Sequence, residues 1–183
     1  MVSIALGALQ IPSLQPVLGD VYVPLLASAL ISVVMGIASA TLLGSPVPTM
    51  ERTASRDLRP SRAFALAGLA LYGVALMAIS AAIHPENGAL FREPAHFVGG
   101  LGLALLCMRW VAVPLAWCAM LAYALACLLA GAAFPRLEGV MLFHPVGSWP
   151  RLVVSVVVLL VAGALYVVNP ALPASYDDQQ WWQ

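Results

Sequence analysis

The side chains that could do chemistry in this 183-residue chain are few, and most sit between apolar runs. His84, Glu86, Glu93 and His96 bracket one polar stretch, and Glu138 and His144 lie in the next. Imidazoles with carboxylates suit Zn²⁺ or Cu²⁺. The spacing follows no ligand motif, however, and His-Pro at 84–85 and 144–145 equally suits a capping or interface-anchoring imidazole. A metal site built on His84, Glu93, His96 and His144 is therefore the weaker reading, and no metal or other cofactor is expected. Cys107, Cys118 and Cys127 form no Cys-x-x-Cys pair and read as small apolar side chains. Ser28, Ser32, Ser39, Ser80 and Ser155 have neither a Gly-x-Ser-x-Gly context nor a histidine at membrane depth, and are expected to bond back to their own helices. With no lysine anywhere, no phosphate-binding Gly-x-x-x-x-Gly-Lys loop exists. The chain is not expected to be an enzyme.

A second kind of chemistry is electrostatic docking. Residues 45–63, SPVPTMERTASRDLRPSRA, carry four of the eight arginines, and no basic residue precedes Arg52. Pro46 and Pro48 hold the entry extended, Thr49 suits an N-cap with Glu51 in the first turn, and Pro60 is expected to stop the helix near Leu58 or Arg59. At about 100° per residue, Met50, Ala54 and Leu58 share one face and Arg52, Arg56 and Arg59 the opposite one. The spacing predicts a membrane-surface helix that either grips lipid phosphates or docks a cytosolic protein. Arg109-Trp110 fits an interfacial anchor, with contact to a cytosolic partner as a second role. Trp181 and Trp182 end a tail that either lies back on the membrane surface, the first reading, or fills a partner's groove. Asp177 and Asp178 shift the balance slightly toward the groove by weakening attachment to anionic lipid.

The elements that position these residues follow from composition. At 62% hydrophobic and 9% charged, the chain departs from a soluble globule, where roughly half apolar and a quarter charged is usual. Its apolar runs approach the roughly 20 residues a helix needs to cross hydrocarbon and do not alternate as a barrel strand would. The expected fold is all-α: a polytopic transmembrane helical bundle of about six spans, or five if residues 1–9 do not cross. Residues 1–168 form one domain and 169–183 a short tail. A signal peptide is not expected, because the first ten residues lack a basic stretch. The spans are Tyr22–Leu43, Phe64–Ile83 with Ser61 as N-cap, Ala95–Arg109, Val113–Phe134 and Arg151–Val168, and 84–94 and 135–150 are connectors. Every Asp, Glu and His then falls in a connector or at a span end. A basic loop normally stays cytoplasmic, so 45–63, the Arg109 turn and the tail face inward across an inner (plasma) membrane. Arginines 52, 56, 59, 62 and 109 lie inside and 92, 136 and 151 outside. Zero formal net charge gives no reason to expect a nucleic-acid partner.

Small residues recur at helical spacing: Gly36 with Ala40, Ala63 with Ala67, Gly99-Gly100 with Gly102, and Ala162-Gly163-Ala164. Such faces let helices approach closely, either within this chain or against other membrane subunits or a second copy of it. The order of IPSLQPVLGDVYVPLL, the Pro48–Leu58 stretch (Pro-x-x-Glu-Arg-Thr-Ala-x-Arg-x-Leu), GLGLALLCMRW, AWCAMLAYALACLLAG and SWP before the last span resembles uncharacterised six-helix membrane proteins of actinobacteria associated with ATP-binding-cassette exporters. The resemblance implies a membrane component working with a separate cytosolic ATPase and implies no substrate. The expected docking residues are Met50, Arg52, Arg56, Leu58, Arg59, Arg109, Trp181 and Trp182. The rival is a structural or assembly subunit of a larger membrane complex, and the weaker alternative an outward-facing metal-binding accessory.

Overall fold

A computed structural model describes residues 23–43, 58–83, 89–111, 113–133, 142–143 and 148–168. Five helices make up the regular structure among them: α1 (Val23–Leu42), α2 (Arg59–Ile83), α3 (Ala89–Cys107), α4 (Val113–Ala133) and α5 (Trp149–Val168). Four of the five carry proline as their second residue: Pro24, Pro60, Pro114 and Pro150. The ring fixes φ at a helical value, and the missing N–H is one that the first turn leaves unbonded anyway. The same rule corrects two expectations. Pro60 is the second residue of α2, so Arg59 belongs to this long apolar helix and not to the end of a separate surface helix. Ser61 lies inside the first turn and is not the cap, while the carbonyl of Leu58 accepts the Arg62 N–H at 3.0 Å. The rest of the expected surface helix, residues 50–57, lies outside the described residues.

The valine-rich run of α5, Val153 to Val158, has the composition of a strand but is helical, and only a helix bonds an isolated apolar segment's backbone within itself. The expected break between the third and fourth long segments is present, with a turn over 108–110 between Cys107 and Val113. The expected connector 84–94 is corrected: from Ala89 onward it is helical, with Pro94 inside α3.

Direction is set by paired contacts. Gly99 faces Ser155, and Gly102 faces Leu159, so α3 and α5 run parallel. Leu66 packs on Gly163, and the Tyr166 hydroxyl donates to the Leu43 carbonyl at 2.6 Å, which brings the start of α2 and the ends of α1 and α5 together. Arg59, Arg62 and Arg109 thus share one end of the bundle, and Arg92 and Arg151 the other. α3 is central, packing on α1, α2 and α5. The apolar core joins Val33, Ile37 and Ala40 of α1, Met77 of α2, Phe97, Val98, Leu101 and Ala104 of α3, Met120 and Ala124 of α4, and Leu142-Phe143. Ser32 does not bond only within its own helix: it reaches across to the Met77 sulfur at 3.3 Å. The cysteines are all free thiols and are not uniformly buried. Cys127 is buried, Cys118 is exposed, and Cys107 is half-buried against Met120.

Polarity runs from an ionic interior to an apolar exterior. Arg92, Glu93, His96, Arg151, Ser32, Ser39 and Ser155 are buried, while Phe64, Leu71, Tyr72, Ile79, Val154, Val157, Leu160 and Val161 are exposed. By length and composition, α2 and α5 can cross a membrane, and α1 and α4 hold shorter apolar stretches, Ala29–Leu42 and Pro114–Cys127. On the outer face of α2, a Cβ added at Gly68 would meet nothing within 4 Å. Gly68→Ala is therefore expected to raise stability by up to about 1 kcal/mol through helix propensity, read as a small upward shift in thermal unfolding in detergent.

Candidate functional site

At the end of the bundle formed by the first turns of α3 and α5, five polar side chains converge on the interior. Arg92, Glu93 and His96 come from α3, and Arg151 and Ser155 from α5. On α3, Arg92 and His96 are four residues apart, one above the other on the inward face. Gly99 follows at the next turn, and a Cβ there would lie 3.2 Å from the Ser155 hydroxyl. The missing side chain is what lets α5 bring Ser155 to the same face, one turn below Arg151.

Arg92 Nη2 stands 3.8 Å from Glu93 Oε1, with both side chains almost fully enclosed. His96, fully buried, meets the edge of the Phe143 ring at a centroid distance of 5.8 Å. Phe143 in turn meets Tyr123 of α4 at 5.7 Å. The 142–143 turn and α4 therefore close the side of the cluster that α5 leaves open. Ser155 Oγ has no hydrogen-bond partner among the described residues. At the rim, Phe91 packs edge-on against Trp149 at 6.0 Å.

The cluster does not serve helix stability. Arg92 and Arg151 sit in first turns, where the positive end of the helix dipole disfavours cations. Buried ion pairs also give up hydration that their attraction repays only with good geometry. Ionisable groups inside an apolar bundle mark functional or partner-specifying positions.

The expected site residues divide as follows. Glu93, expected in the outward connector, and His96, expected at the start of a span, are both buried on α3. Arg92, expected in an outward connector, and Arg151, expected at the outward end of the last span, are both buried within helices. His84 and His144 lie outside the described residues, among which no three His, Cys, Asp or Glu side chains come together to hold a metal. Leu58 is half-buried just ahead of α2, and Arg59 is exposed on it. The Arg109 guanidinium lies 6.0 Å from the Trp110 ring centroid, and Trp110 is 78% exposed. Met50, Arg52, Arg56, Trp181 and Trp182 lie outside the described residues. The cluster was missed as a unit because Phe91 to Pro94 reads as a loop. The spacing of Arg92, His96 and Gly99 at helical intervals was the signal that could have found it.

Fold and site together define a helical bundle with an ionic core at one end and an apolar exterior. No protein-family model matches the chain, and no curated protein or solved structure is similar to it.

Proposed function

We propose that this chain is a polytopic membrane subunit, crossing about six times with residues 1–9 or five times without them, and acting by gripping neighbouring proteins and not by catalysis. The observation that carries the reading is the reversed polarity: ionic and hydroxyl side chains are enclosed while large apolar ones face out. In water that arrangement would leave a large apolar surface exposed; in lipid that surface is solvated by acyl chains, and enclosing the ionic groups keeps them out of the hydrocarbon. Depth agrees. Trp149 and Tyr166 are roughly 25 Å apart along α5 at 1.5 Å per residue, close to the roughly 30 Å of hydrocarbon, and aromatic side chains favour its two boundaries.

Within that class, the chain serves as the membrane component of an ATP-binding-cassette-type exporter, with the basic segment 45–63 cytoplasmic and docking a separate ATPase. The support is the arginine-rich amphipathic pattern of Met50 to Leu58 and the absence of any nucleotide-binding motif in the chain. Mild detergent extraction followed by co-purification tests this. An ATPase recovered with the wild type is expected to be lost from Arg52→Glu/Arg56→Glu. Recovery of a different complex, unchanged by those substitutions, would replace the exporter by a structural subunit. Reporter tags placing residues 45–63 on the exterior would overturn the orientation.

A further inference from the structure

A hydroxyl sits in the middle of the outer apolar face. Tyr72 of α2 is 65% exposed, and its hydroxyl has no hydrogen-bond partner among the described residues. Its depth follows from register. Leu66 packs on Gly163, and α2 leaves from the end of the bundle at which α5 finishes. Six residues further along α2, and six back along α5, Tyr72 is level with Val157. Val157 is midway between the boundary residues Trp149 and Tyr166. About 12 Å of hydrocarbon then separates Tyr72 from either boundary at 1.5 Å per residue, beyond what a snorkelling side chain spans. Tyrosine favours the edges of a bilayer; at its centre the hydroxyl needs a protein partner.

The surroundings of Tyr72 suit a second helix. Ala65, Gly68, Tyr72, Ala75, Ile79 and Ala82 recur at alternating spacings of three and four, and all are exposed. That alternation makes the seam along which two helices cross at about 20°. Gly73, facing inward, seats the Phe97 ring, whereas a Cβ at Gly68 would meet nothing within 4 Å. The space at Gly68 is therefore not used within the bundle.

We infer that α2 pairs along this seam with α2 of a second copy of the chain, about a two-fold axis parallel to the membrane normal. Self-complementarity selects the occupant. Helical side chains lean toward the N-terminus, so the Tyr72 ring extends to the level of Gly68, and the two-fold sets it against the space beside the other copy's Gly68. The same axis brings both Tyr72 hydroxyls to one depth, where one donates to the other. The inference rests on the membrane reading above but not on the exporter.

The test reconstitutes the full chain in phosphatidylcholine vesicles over a range of protein-to-lipid ratios and counts copies by single-molecule photobleaching. The wild type is expected to dimerise as the ratio rises. Tyr72→Phe should weaken the dimer about fivefold. Gly68→Ile should abolish it and still fold, because the space outside Gly68 is open. Gly68→Ala, which only matches the alanines of the seam, should leave the dimer in place. A dimer unchanged by both Tyr72→Phe and Gly68→Ile overturns the inference, as does a monomeric wild type. If that monomer loses thermal stability with Tyr72→Phe, the hydroxyl is held within the chain and the seam is covered from inside it. Co-purification of a different membrane protein, lost with Gly68→Ile, would assign the seam to that protein instead. A chain that stays outside the vesicles would overturn the membrane reading beneath the inference.

Discussion

Glu93→Ala is expected to destabilise the bundle by about 3–5 kcal/mol, because it leaves Arg92 enclosed without the carboxylate 3.8 Å away. The asymmetry of buried ion pairs sharpens the test. Removing one partner strands a charge in a low-dielectric interior, whereas replacing both by apolar side chains of similar size is often neutral. Arg92→Met/Glu93→Leu should therefore be far less damaging than Glu93→Ala, despite changing more atoms. Reversible unfolding in detergent, followed by helical circular dichroism, reads both. A single-variant loss below about 1 kcal/mol, in the range of an exposed pair, would show that the pair is solvated. The charge itself would then be decided by Glu93→Gln, which keeps the shape but not the carboxylate.

The cluster also shows where reading the sequence stopped short. The apolar runs declared their helices directly, and α1, α4 and α5 begin and end within about two residues of expectation. The break at Arg109 was legible because two spans must be separated by a turn and a snorkelling arginine beside tryptophan marks one. The start of α3 was not, because proline and three polar neighbours carry the local signal of a connector. That signal was overridden by packing. Helical backbone at Pro94 forgoes one bond, to the Leu90 carbonyl, and in exchange Arg92 and His96 reach the interior beside Arg151. That Pro60 also opens a helix, taking Arg59 with it, was missed for a related reason. A proline ends a helix that precedes it and starts one that follows it, so composition on both sides gives no decision. The repeated proline at the second helical residue, in α1, α4 and α5 as well as α2, was the pattern that could have decided it. Which small-residue faces are used within the chain was equally beyond one-dimensional reading. Gly36, Gly99, Gly100 and Gly102 face neighbouring helices, whereas Ala63 and Ala67 remain exposed.

Gly100→Val is expected to separate α1 from α3 and to lower stability by about 3 kcal/mol or more, the upper range for inserting bulk into a packed interior. The reason is what a side chain would meet. A Cβ at Gly100 would lie 2.9 Å from the Val33 carbonyl oxygen, which is backbone and has no rotamer to yield. From the other helix, a Cβ at Gly36 would meet the Phe97 carbonyl and approach the Leu101 nitrogen at 2.8 Å. Each glycine thus faces the backbone of the other helix, and close approach of this kind supplies association where lipid offers no hydrophobic gain. Gly102→Val should act likewise on α3 and α5, since its Cβ would lie 2.9 Å from the Leu159 nitrogen. A merely flexible glycine would respond to alanine with a gain, as Gly68 is expected to; a contact glycine should lose stability even with alanine. Thermal unfolding of Gly68→Ala and Gly100→Ala side by side therefore separates propensity from packing. If both rise together, α1 and α3 do not meet at these residues and the central position of α3 is wrong.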